Sequence, residues 1–153
     1  MARSRKATAT DAELCIKLYE LRREAEMRKA RDFITFQFHP QGIDDVLKLM
    51  QAIGTPENAW ARQVFSYWED AASLVLNGIV HPGLFFAWNG EIVSVYAKVK
   101  PFLKEMRQQM ENPTFLAGVE KVVTSSPEAR KRVVMLQKRM AKMAEKAQAA
   151  KAK

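Results

Sequence analysis

The 153-residue sequence predicts an all-α fold, a single-domain bundle of six or seven helices. Three observations carry this reading. Apolar residues recur at helical spacing, most clearly at Trp60, Val64, Phe65, Trp68, Ala71, Ala72, Val75 and Leu76. Helix punctuation repeats: Thr55-Pro56 and Ser126-Pro127 are start signals, and Gly54 and Gly78 are stops. Strand-like alternation is confined to residues 34–38 and 93–99. The expected organisation is a disordered basic leader at 1–9, a helical domain at 10–125, and a basic C-terminal helix with a frayed end at 126–153. A chain of this length buries about 68–70% of its unfolded surface, enough for one core without staples.

Taken in order, the first helix is expected to open at Thr10, with Glu13 at capping-box spacing. Its apolar stripe is Leu14, Leu18, Leu21 and Ala25. Residues 34–38 (ITFQF) alternate like a strand, but they also extend a helical face of Met27, Ala30, Ile34 and Phe38. The helix is preferred, because no break signal precedes Phe33, and Pro40 ends it at His39. A short helix follows up to Gly54. The 56–77 helix is apolar over so wide an arc that it should lie centrally in the bundle. Its polar stripe is Arg62, Ser66, Glu69, Ser73 and Asn77.

Residues 82–110 carry two conflicting signals. Asn89-Gly90 is a strong hairpin dipeptide, and an α+β alternative places a small hairpin at 84–99. Against it, Ile92, Val95, Val99, Phe102, Met106 and Met110 hold one helical phase past Pro101. A strand has no reason to keep phase with the helix after it. The reading is therefore a short helix at 82–88 and a helix from 91 to 110 kinked near Pro101. Another short helix precedes Ser125. The last helix carries Val133, Leu136, Met140, Met143, Ala147 and Ala150 at spacings of three and four.

The net charge of +8 is uneven. Residues 1–31 carry nine Lys/Arg and five Asp/Glu, residues 32–120 six and ten, and residues 121–153 ten and two. A mildly acidic body between basic ends suits an anionic partner or simple solubilisation. One cysteine, Cys15, excludes an internal disulfide and suits a reducing compartment. The basic N-terminus has no apolar region behind it, and no run of 18 apolar residues exists, so a cytoplasmic location is expected, with no transmembrane segment.

Candidate chemistry is sparse. The two histidines, His39 and His81, both precede proline and stand far from other ligand-type side chains, so both read as helix-end residues. Cys15 flanks the Leu14–Leu18 stripe as a small buried hydrophobe. The glycines are singletons at helix ends and turns, so no phosphate loop is present. No cofactor, metal site or small-molecule ligand is expected, and the chain is read as not an enzyme. A pocket gathering Glu69, His81 and Arg107 would reverse that reading.

The C-terminal helix is the strongest remaining feature. Arg132, Lys138, Arg139, Lys142 and Lys146 surround the seam of Val133, Leu136, Met140 and Met143. Arg132, Arg139 and Lys146 recur every seven residues. The leading expectation is a protein-interaction module, self-associating through this seam or binding a partner. The alternative is weak, sequence-independent nucleic-acid binding.

Residues 58–110 add a resemblance. Trp68, Glu69, Ala72, Gly78, Tyr96, Pro101 and Arg107 form an aromatic-Glu pair, a small residue, a glycine after the helix, and an aromatic, proline and arginine on a later helix. In this the chain resembles an uncharacterised family of small bacterial all-helical domains of unknown function. Some of its members carry the domain behind transmembrane helices, which this chain lacks. The resemblance implies an all-helical domain and a structural ion pair between Glu69 and Arg107. It implies no activity.

Overall fold

Helix α1 (Ala9–Arg23) starts from an N-cap at Thr8, in a computed structural model that describes residues 5–152. The Thr8 hydroxyl accepts the Asp11 N–H at 3.3 Å, and the Asp11 carboxylate accepts the Thr8 N–H at 2.7 Å. This capping box lies two residues before the expected one at Thr10 and Glu13. The reason is tertiary. The buried Asp11 carboxylate also takes both guanidinium nitrogens of Arg5 at 2.6 Å and the His81 N–H at 2.7 Å. Those partners turn the helix, so its buried face is Asp11, Cys15, Leu18 and Arg22. The expected stripe is displaced, and Leu21 is 49% exposed. Within the expected leader, Arg5 donates to the Gly78 and Ile79 carbonyls at 3.3 Å, and Ala9 is already helical. Residues 1–4 of that expectation lie outside the described residues.

The chain breaks at Glu24, whose extended ψ of 143° separates α1 from α2 (Ala25–Asp32). The Glu24 carboxylate accepts the Met27 N–H at 2.9 Å and caps the new helix. No glycine or proline marks this break, so periodicity reads through it. A π-helical turn, Phe33–Gln37, continues α2. The helical reading of ITFQF is thus the correct one, with Met27, Ala30 and Ile34 buried in line.

Helices α3 (Ile43–Gln51) and α4 (Pro56–Leu76) are joined through Gly54, whose φ of +93° favours glycine. Thr55 accepts the Asn58 N–H at 3.3 Å, and Pro56 occupies the first turn, as the sequence predicts. Val64, Phe65, Trp68, Ala71 and Ala72 are buried. With α2, α3 and α8 (Ala117–Val123) packed on it, α4 is the central helix.

Helix α5 (Pro82–Trp88) begins at His81, whose ring accepts the Leu84 N–H at 3.2 Å. Helix α6 (Glu91–Val99) follows and buries Ile92, Val93, Val95, Tyr96, Ala97 and Val99. The hairpin alternative at 84–99 is not formed. Gly90 has φ −61°, whereas a two-residue hairpin of this type needs positive φ. Burial on nearly every side of α6 outweighs the turn dipeptide. At Pro101 the helix tightens to a 3-10 turn, Lys100–Phe102, and continues as α7 (Leu103–Gln109).

The last helix, α9 (Pro127–Lys151), is capped by Ser126, which accepts the Ala129 N–H at 3.1 Å. It packs mainly on α6. Helical geometry extends to Lys151, in a stretch rich in the strong helix formers alanine, lysine and glutamine. Lys153 lies outside the described residues. The architecture is a single all-α domain of eight helical rods among the described residues, counting α6 and α7 as one. The break at Glu24 adds one to the sequence count.

Candidate interaction face on the C-terminal helix

Along α9 the apolar seam faces two environments. Val133 is 1% exposed, and Leu136 and Met140 pack against the same core. Met143 is 64% exposed. The seam expected to pair with another chain is therefore covered over its first half by α6 of its own chain. The domain needed a lid for the apolar α6, and α9 supplies it. From Ala141 to Ala152 only Ala144 is less than exposed.

The outward side of α9 is uncommitted. A shallow groove along it is lined by Arg130, Lys131, Val134, Met135, Lys138, Arg139 and Lys142. Met135 is 50% and Val134 45% exposed. Arg132, Lys138, Arg139, Lys142 and Lys146 are all exposed. Among the described residues, none of these five has an ion pair within the chain. Arg130 is different, donating to the Thr124 carbonyl at 2.6 Å.

The expected Glu69–Arg107 ion pair is not formed. The Glu69 carboxylate instead accepts the Gly118 and Val119 N–H groups at 2.7 and 3.0 Å, in the first turn of α8. Arg107 pairs with Glu120 at 2.8 Å and donates to the Phe115 carbonyl at 2.9 Å. The Tyr96 hydroxyl donates to Glu120 at 3.0 Å. Burial, and then that hydrogen bond, pushes the Tyr96 phenol up to about 12. Glu69, Tyr96 and Arg107 thus all hold α8, through different atoms. Gly118 and Glu120 complete the arrangement and escaped the sequence reading. A Cβ on Gly118 would lie 2.7 Å from Glu69 Oε1, so the glycine leaves room for the carboxylate at the start of α8. Glu120 carries no signal in the sequence.

Lys98 was also missed. Its ammonium donates to the carbonyls of Ile34, Thr35 (3.1 Å) and Phe38 (2.8 Å), the open end of the α2 rod. Burial lowers its pKa to about 8. A lone lysine amid the apolar face of α6 was the available sign.

Other candidates are structural. A broad groove of about 1030 Å³ beside α4 is floored by the expected polar stripe, Arg62, Ser66, Glu69, Ser73 and Asn77. Each of these bonds within the fold: Arg62 to Asn58, Ser66 to the Gln63 carbonyl, Ser73 to the Asp70 carbonyl and Asn77 to the Ser73 carbonyl. His81 caps α5 and meets Asp11, and of Glu69, His81 and Arg107 this groove is lined by Glu69 alone. His39 stands at the end of the π-helical turn, its Nε2 2.9 Å from the Phe36 carbonyl. Cys15 is buried, which pushes its thiol up. Among the described residues no three His, Cys, Asp or Glu side chains gather as metal ligands, and no helix is long and apolar enough to cross a membrane.

Comparison with known proteins matches no curated protein and no solved structure. A family pattern described as "Domain of unknown function (DUF4760)" matches residues 7–126. The match ends one residue before α9 begins and contains the whole α8 clamp. On that match, the chain belongs to the DUF4760 family.

Proposed function

We propose that the chain is a non-enzymatic interaction module whose docking element is the outward face of α9. The carrying observation is the division of labour along that helix. Val133, Leu136 and Met140 are spent on the core, while Lys131, Arg132, Lys138, Arg139, Lys142 and Lys146 have no ion pair among the described residues. Residues 127–153 hold nine Lys/Arg against two Asp/Glu, so the favoured partner is anionic. Elsewhere charged side chains that bond across the fold support a structural body: Asp11, Lys98, Glu69 and Arg107 each join two or more segments. A second reading, duplex phosphate binding, is favoured by the row Lys131, Lys138 and Lys142, which shares one side of α9.

The test uses the full-length chain and a variant carrying Lys138→Gln, Arg139→Gln, Lys142→Gln and Lys146→Gln. All four positions are exposed, so circular dichroism should be unchanged. Fluorescence anisotropy with a labelled polyglutamate peptide and a labelled 20-base-pair duplex should show salt-dependent binding that the variant loses. Equal binding by both proteins, or none by either, would refute the α9 reading.

A further inference from the structure

Resting on that reading, we infer that the partner of α9 is an acidic amphipathic helix of another protein, laid along the stripe Arg132, Met135, Arg139, Met143 and Lys146. These residues follow at spacings of three, four, four and three, which places them on one side of the helix. The stripe covers roughly 21 Å at 1.5 Å per residue, or four turns. Cations and apolar side chains alternate along it, and Met135 and Met143 are 50% and 64% exposed. Exposed methionines fit an irregular apolar ridge by rotamer change. The fitting helix has carboxylates at seven-residue intervals with apolar side chains between them.

The same features argue against other occupants. A duplex backbone rewards the cations only, and two methionines against phosphates lose water for no apolar contact. A second copy would oppose the same three cations in this stripe, with like charges facing. An anionic bilayer needs a wide apolar face, and the wide face of α9 is already on α6. Arg132 lies back over the α5–α6 turn, with Nη2 3.2 Å from the position of a Gly90 Cβ. Arg139 and Lys146 are therefore the freer cations, and Met135 and Met143 flank Arg139.

Three labelled probes decide the matter with the full-length chain. One is a four-turn peptide with glutamates every seven residues and leucines between them. The second is its scrambled isomer, and the third is a 20-base-pair duplex. The patterned peptide should bind about tenfold tighter than the scrambled one. Met135→Ser with Met143→Ser should remove that preference and leave the scrambled peptide's affinity unchanged. Arg139→Glu with Lys146→Glu should abolish binding of both peptides. Equal affinity for the two peptides overturns the patterned partner while leaving α9 as a docking element. Tighter binding of the duplex, indifferent to the methionine changes, overturns it in favour of phosphate. No binding to any probe removes both the inference and the reading beneath it.

Discussion

Gly118→Ala should change sign with its genetic background. In the wild type, the added Cβ meets Glu69 Oε1 at 2.7 Å and Cδ at 3.1 Å, so the carboxylate must move. Moving it breaks two charge-assisted hydrogen bonds to the Gly118 and Val119 N–H groups. Such bonds contribute about 1.5–3 kcal/mol each when buried, and Glu69 is only partly buried, which brings the pair to about 2 kcal/mol. Glycine to alanine in a helix returns up to about 1 kcal/mol through backbone entropy, and less in a first turn. The net in the wild type is a loss of about 1–1.5 kcal/mol. With Glu69→Ala already in place there is no carboxylate to displace, and Gly118→Ala should stabilise by about 0.5–1 kcal/mol. Urea denaturation of the four proteins gives the coupling directly, expected near 2 kcal/mol. Additivity within about 0.5 kcal/mol would show that Glu69 does not hold α8.

Four further outcomes follow. Val133→Ala should cost about 2 kcal/mol because that side chain is 1% exposed, while Met143→Ser should stay within about 0.5 kcal/mol; equal effects in thermal melts would place the seam outside the core. Lys98→Met removes the partner of three carbonyls and should destabilise by about 2 kcal/mol at pH 7; an unchanged urea midpoint would refute the cap. Because the folded Lys98 pKa is lowered, to about 8 against about 10.5 unfolded, the unfolded state holds more protons between these values. The wild-type advantage over Lys98→Met should therefore widen from pH 8 to 9.5, and a narrowing gap would count against burial as the cause. The Arg5 guanidinium, with Thr8 and the His81 N–H, holds the Asp11 carboxyl well below the usual carboxylate range. Its contribution is present above about pH 4 and declines below it, so the melting-temperature gap to Asp11→Asn should be largest at pH 7 and shrink in acid.

The helical class and most helix starts are legible in local residue patterns. Thr55-Pro56 and Ser126-Pro127 act through local capping, and the α4 face follows from spacing alone, so neither needs the rest of the chain. Local signals also placed the Pro101 irregularity and the C-terminal basic charge. Features that depend on distant partners emerge from packing across the folded chain. Asp11 is buried because Arg5 and the His81 N–H reach it, which rotates α1 away from its leucine stripe. Asn89-Gly90 joins two helices because α6 is surrounded. Glu69 turned from Arg107 to backbone N–H groups 49 and 50 positions away. The α9 seam, which reads equally as a pairing surface or as a packed face, is half core because it lies on α6. Periodicity records which face of a helix is apolar; which neighbour covers that face is set by packing across the chain.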